Sequence, residues 1–176
     1  MFLRLLLVLA ILCPGPVMSA DRAMLNRALD AAIATFEAAR PHLGANGFGV
    51  DVRAYRDALT LLRFQSGHWG GAVTVNFVTS DKVDGDCGRF AAFVRIPPEQ
   101  GVVPLVFCPQ FFSPGADALR ELTVLHEMVH VVAGSDECRA MVFAARIEQA
   151  ARGRFTPVAT YWQANGCPDK GYRLPR

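Results

Sequence analysis

Residues 119–132 constrain this chain most. Leu119, Leu122, Val124, Leu125, Met128, Val129, Val131 and Val132 cover nearly every side of a helix, and a helix that is apolar all round has to be buried. Within it stand His126, Glu127 and His130. Histidines four apart project from one helix face, about 40° apart around the axis, so both imidazoles can reach one metal ion. Glu127 lies on the flank of that face, within reach of a water that zinc would acidify towards neutrality. The segment therefore reads as a hydrolytic zinc site with Glu127 as general base. The alternative is a metal-free core pair, in which all three polar groups must find hydrogen-bond partners to offset their desolvation.

The other end of the chain bears on where such a site would work. Arg4, an apolar run from Leu5 to Leu12, the Pro14-Gly15-Pro16 break and the small residues Ser19 and Ala20 give residues 1–20 the pattern of a signal peptide, with cleavage after Ser19 or Ala20. The run is too short to span a membrane. Cys13 leaves with the peptide in this reading; lipid anchoring through it is the alternative, disfavoured by the bulky Ile11 and Leu12 before it. Residues 21–176 then form a single domain, long enough to bury its own core. Without Arg4 that domain carries 17 basic and 16 acidic residues, the 18 and 16 of the full chain less one, so charge predicts no nucleic-acid partner and no membrane binding after signal removal.

Four cysteines remain, Cys87, Cys108, Cys138 and Cys167, and an even number in an exported chain points to two disulfides. Of the three pairings we favour Cys87 with Cys108, stapling neighbouring strands, and Cys138 with Cys167, tying the C-terminal tail to the helix after the metal site. Thiolate ligation of zinc is the weaker alternative, since no Cys-x-x-Cys spacing exists.

Leu25, Leu29, Ile33 and Phe36 recur at helical spacing from Asp21 to Arg40, where Pro41 stops the run; Val52, Tyr55, Leu59 and Leu62 predict a second helix. His68-Trp69-Gly70-Gly71 breaks it and reads as a structural loop. Ala72–Thr79, Arg89–Ile96 and Val102–Phe107 are rich in Val, Phe and Thr and predict three strands. Asp84-Gly85-Asp86 marks a turn, and Pro104 with Pro97-Pro98 predicts an edge position. Ser113-Pro114 is the expected start of the metal helix, which runs to about Ala133 before Gly134. Ser135 is the expected cap of a further helix to about Arg152, and Thr156-Pro157 opens a short one carrying Tyr161 and Trp162.

The third ligand is sought among the acids after Gly134. Asp136 and Glu137 both suit a helix N-terminus electrostatically. Glu137 shares a face with Ala140, Met141 and Ala144, whose small alanines let the two helices lie close. That favours Glu137 as ligand, leaving Asp136 to the helix terminus; Asp136 itself, and Glu148 three turns on, are the alternatives. Tyr161 and Arg139 are candidates to stabilise a developing oxyanion.

From Val106 to about Glu137 the chain resembles the aspzincin metallopeptidases, the deuterolysin and peptidyl-lysine metallopeptidase group. The resemblance rests on Phe107-Cys108-Pro109-Gln110-Phe111-Phe112, on Leu119 to His130 with Thr123-Val124-Leu125-His126-Glu127-Met128, and on Val132-Ala133-Gly134-Ser135-Asp136-Glu137. It implies zinc on the two histidines, Glu127 as base and an acidic third ligand, with Glu137 replacing the family's aspartate. The connection from His130 is about two residues shorter here, which the longer glutamate arm suits, and the family's tyrosine just beyond the aspartate is missing. Glu137 with Ala140, Phe143 and Ala144 also resembles the Glu-x-x-Ala-x-x-Phe-Ala pattern of glutamate-ligand zincins.

The expected fold is α+β and zincin-like, with N-terminal helices, a small twisted sheet and a buried active-site helix. The expected function is zinc-dependent hydrolysis of peptide or protein substrates, secreted or periplasmic, with His126, His130 and Glu137 on the metal, Glu127 as base and Tyr161 as a second catalytic group. The alternatives are a secreted binding or structural domain with a non-catalytic metal, and a peptidoglycan-peptide or amide hydrolase.

Overall fold

The computed structural model describes residues 17–176 and has an α+β architecture. In chain order come α1 (Val17–Ala39), the ribbon strands β1 (Asn46–Gly47) and β2 (Val50–Asp51), α2 (Val52–Leu61), β3 (Arg63–Ser66), β4 (Gly71–Thr79), β5 (Ala92–Val94), β6 (Val102–Phe107), α3 (Asp117–Ala133), α4 (Glu137–Arg152) and α5 (Ala159–Ala164). The predicted signal peptide, with Cys13, lies outside the described residues as far as residue 16. Its last positions do not: α1 begins at Val17 and runs through both expected cleavage points.

α3 is the centre of the molecule. Eleven of its seventeen residues are buried, and α1, α2, α4, β5 and β6 all pack on it. Phe36 of α1, Tyr55 of α2 and Phe143 of α4 stack in sequence, with ring centroids 5.0 and 5.1 Å apart, and Tyr55 donates its hydroxyl to Leu125 O at 2.8 Å. The nearly all-apolar circumference read in the sequence is thus met, from Val124 onward, by helices on several sides and the sheet on another, while Leu119 stays exposed.

The larger sheet has the order β3-β4-β6-β5, with β4 and β6 parallel and the other neighbours antiparallel. Two expectations are corrected here. β3 was not anticipated: Leu62, in the left-handed conformation at φ 53°, ends α2 and turns the chain straight into a hairpin whose connection is the His68-Trp69 loop. Pro104 lies in an interior strand and not at an edge. Its carbonyl accepts from Arg95 N at 2.9 Å, so Pro104 faces the line of β5 just past Val94, where that strand stops. Its missing N–H therefore costs the β4 ladder nothing.

The strand expected over Arg89–Ile96 shrinks to Ala92–Val94, because Arg89 and Phe90 are still held in the preceding turn by bonds from their N–H groups to Asp86 O. The helix expected from Ser113-Pro114 starts at Asp117, three residues after Pro114, since Gly115 takes a left-handed φ of +80° between them. The cap of α4 is Asp136 and not Ser135: its Oδ1 accepts from Cys138 N and Arg139 N.

Both favoured disulfides are present. Cys87–Cys108 joins the turn region to the end of β6, and Cys138–Cys167 joins the first turn of α4 to the C-terminal segment. Two such bridges belong to an oxidising compartment. No helix among the described residues is long and apolar enough to cross a membrane.

Candidate metal centre and cleft

His126 and His130 come from α3, and Glu137 is the first residue of α4. What brings the glutamate back over the histidines is the turn at Gly134. This glycine holds φ +86°, a conformation that favours glycine, and a Cβ there would stand 2.8 Å from His68 Nε2, so a larger residue would also push the exposed His68 ring aside. The loop read as structural does that work from the other side: Trp69 Nε1 donates to Val131 O at 2.7 Å and seats His68 against the turn.

The three ligand atoms converge. His126 Nε2 lies 3.0 Å from His130 Nε2 and 3.1 Å from Glu137 Oε2, and His130 Nε2 lies 3.5 Å from that same oxygen. His130 Nδ1 is 2.8 Å from Gly134 O, and only an N–H can donate there, so in the neutral ring Nε2 presents a lone pair to the cluster. Each of the three residues offers one ligand atom here, and a single cation can take all three. A tetrahedral zinc with bonds of roughly 2.0–2.1 Å spaces its ligand atoms by roughly 3.3–3.4 Å, and the observed edges bracket that value. The residues fit a metal, and His126, His130 and Glu137 could hold one.

The electrostatics agree with ligation. Burial lowers the His126 pKa, keeping its imidazole neutral. Burial opposes the charge on Glu137, but its hydrogen bonds with His126 and His130 outweigh that and hold the carboxyl well below the usual range. Burial also opposes a proton on His130, yet the bond to Glu137 and the neighbouring carboxylates prevail and raise its pKa. The cluster attracts positive charge.

Glu127 is different in kind. It is 9% exposed and has no hydrogen-bond partner among the described residues, and burial, with the Glu137 charge adding to it, pushes its carboxyl up to about 8. It opens on two cavities at once. One, of about 140 Å³, runs between β5, Phe90 and the metal cluster; the other, of about 450 Å³, lies on the far side between α3 and α5. Tyr161 stands between them and donates its hydroxyl to Glu137 Oε2 at 3.0 Å.

The remaining candidates are elsewhere. Asp136 Oδ2 accepts from Tyr172 while Oδ1 caps α4, so both oxygens face away from the cluster. Glu148 accepts from Thr156 N and Oγ1 at 2.8 and 2.9 Å and fixes the segment after α4. Arg139 donates to Ala133 O at 2.7 Å and lines the His68 side of the α3–α4 turn, so it is no oxyanion partner. The sequence reading named Tyr161 but missed Phe90, which lines both cavities, and the wall that Pro157, Val158, Ala159 and Thr160 form beside Tyr161. It also counted Leu119 as helix burial, yet Leu119 is 57% exposed on the larger cavity. An aromatic residue in a turn and a leucine at a helix start carry no signal before the chain is folded. No family model, no curated protein and no solved structure matches this chain.

Proposed function

We propose that this protein is a zincin-like metallopeptidase, a zinc-dependent hydrolase of peptide bonds that acts outside the cytoplasm. The observation that carries the reading is the pairing of a three-atom ligand set with a buried carboxylate that has no structural partner. A carboxyl that opens on two cavities, with no hydrogen-bond partner among the described residues and a pKa displaced by its surroundings, is the pattern of a functional group. A structural zinc is usually closed by four protein ligands, and three leave a position for chemistry.

A zinc ion there supplies a Lewis acid and a nucleophilic water at neutral pH. Glu127 takes the proton from the attacking water and later delivers it to the leaving amine; its raised pKa suits both tasks, and a nearby cation draws it back towards neutrality. His130, held by Gly134 O, and His126 keep fixed ring orientations. Tyr161 places a hydroxyl beside Glu137, where it can donate to oxygen charge that develops at the cluster. β5 is the edge strand beside the smaller cavity, so an extended peptide can bond its free backbone groups and bring its carbonyl past Glu127.

Digestion of an unfolded protein substrate, followed by mass spectrometry, tests this. Cleavage should stop on chelation and return with one equivalent of zinc. Cleavage that survives complete metal removal would overturn the reading.

A further inference from the structure

The larger cavity has a composition of its own. Its walls are Phe90 from the turn before β5, Leu119, Leu122 and Thr123 from α3, Met141 from α4, and the start of α5. No lysine, arginine or aspartate lines it; its ionisable groups are His126, Glu127 and Tyr161. Among the described residues six large hydrophobic side chains are exposed, and three of them, Phe90, Leu119 and Tyr161, stand at this one cavity. Folding leaves apolar surface in contact with water there and nowhere else in such concentration, which marks a surface that something apolar covers.

The walls are also fixed in advance. Thr156, immediately before the Pro157–Tyr161 wall, is bonded through both N and Oγ1 to buried Glu148. Beyond α5, Cys167 is bridged to Cys138, and Trp162 is buried against Met141 and Val142. A wall pinned at both ends makes a pocket that exists before its ligand arrives, so little binding free energy is lost in forming it.

We propose that this cavity selects the substrate: the enzyme cleaves beside a bulky apolar residue, aromatic or long aliphatic, whose side chain fills the space between α3 and α5. The inference rests on the peptidase reading for the cleaved bond, since Glu127 and His126 form the end of the same cavity. A volume of about 450 Å³ takes the largest natural side chains. Small residues leave it wet, and charged ones find no lysine, arginine or aspartate in it, only the groups at its metal-cluster end.

Two measurements separate this inference from the reading it rests on. In the first, the zinc-loaded full chain digests a mixed peptide library, and kcat/KM is compared for the best peptide and its counterpart with alanine at the selected position. The expected preference for Phe, Leu or Trp over Ala is at least about tenfold, the scale on which apolar pockets discriminate. Thr123→Trp, or Ala159→Trp from the opposite and exposed wall, should lower kcat/KM for the apolar peptide by at least about tenfold more than for the alanine peptide. In the second, chelated protein is titrated by NMR with N-acetyl-phenylalanine amide and N-acetyl-alanine amide. Only the former should shift resonances of residues 119–123 and 157–161, and Thr123→Trp should abolish the shift. Cleavage without apolar preference, or with preference for charged residues, overturns the inference and spares the peptidase. Apolar binding without any cleavage does the reverse. Neither cleavage nor selective binding overturns both.

Discussion

Two buried glutamates on α3, six residues apart, are treated in opposite ways. Glu121 is 6% exposed and fully answered: Arg152 Nη2 bonds both of its oxygens at 2.7 and 2.9 Å, and Thr35 Oγ1 donates to one of them. That network ties α1, α3 and α4 together. Glu127 is almost as deeply placed and nothing in the fold answers it. A buried charge costs several kcal/mol unless it is paired, so the first half of α3 uses its glutamate to hold helices, whereas the second half leaves one without a partner at the end of two cavities. The difference teaches where to look for function: at the carboxyl that the fold leaves without a partner and facing open space.

Exchanging each glutamate for its amide breaks the comparison in the most direct way. Glu127→Gln keeps shape and removes the base, so turnover should fall by about 10²- to 10⁴-fold while thermal stability stays level or rises. Glu121→Gln should do the opposite, losing about 2 kcal/mol of stability, moderated by the partial exposure of Arg152, with kcat/KM held within a few-fold. Thermal melts and steady-state kinetics on the two variants check both halves. If Glu121→Gln were the inactive one, the division of α3 would be mistaken.

The same contrast holds across the start of α4. Glu137→Ala should weaken metal binding by orders of magnitude, because it removes a ligand. Asp136→Ala removes a cap and should cost about 1 kcal/mol of stability with metal affinity nearly unchanged. Competition with a chromophoric chelator measures the two affinities side by side, and the reverse ranking would transfer the ligand role to Asp136.

Tyr55 marks the boundary between the halves, with its hydroxyl on Leu125 O. Burial raises its pKa well above the ordinary phenol range, so the folded state keeps a proton that the unfolded chain loses near pH 10. Its share of stability is therefore full below about pH 10 and declines as pH rises beyond that. Tyr55→Phe should remove this alkaline component and cost about 1 kcal/mol at neutral pH, where denaturant melts read it.

The site was legible in the sequence to the extent that it is local. His126 and His130 are set by helical spacing, Glu137 by the short Gly134 turn and the small face of Ala140 and Ala144, and both disulfides by plain neighbourhood along the chain. What was not legible depends on non-local partners. β3 is four residues long and exists because β4 pairs with it; Pro104 sits inside the sheet because β5 happens to end beside it; Leu119 and Phe90 become cavity walls only once α5 is pinned opposite. Nor could the sequence reveal that Glu127 lacks a partner while Glu121 has two. Satisfaction of a buried charge is a property of the assembled fold.

The central claim is that one cation sits among His126, His130 and Glu137. Zinc content of the purified chain by inductively coupled plasma mass spectrometry, beside the His126→Ala variant at matched folding by circular dichroism, tests it most directly. The account predicts one zinc per wild-type chain and a small fraction of that in the variant. A folded wild type that retains no metal after incubation with zinc, or a variant that retains it equally, would contradict it.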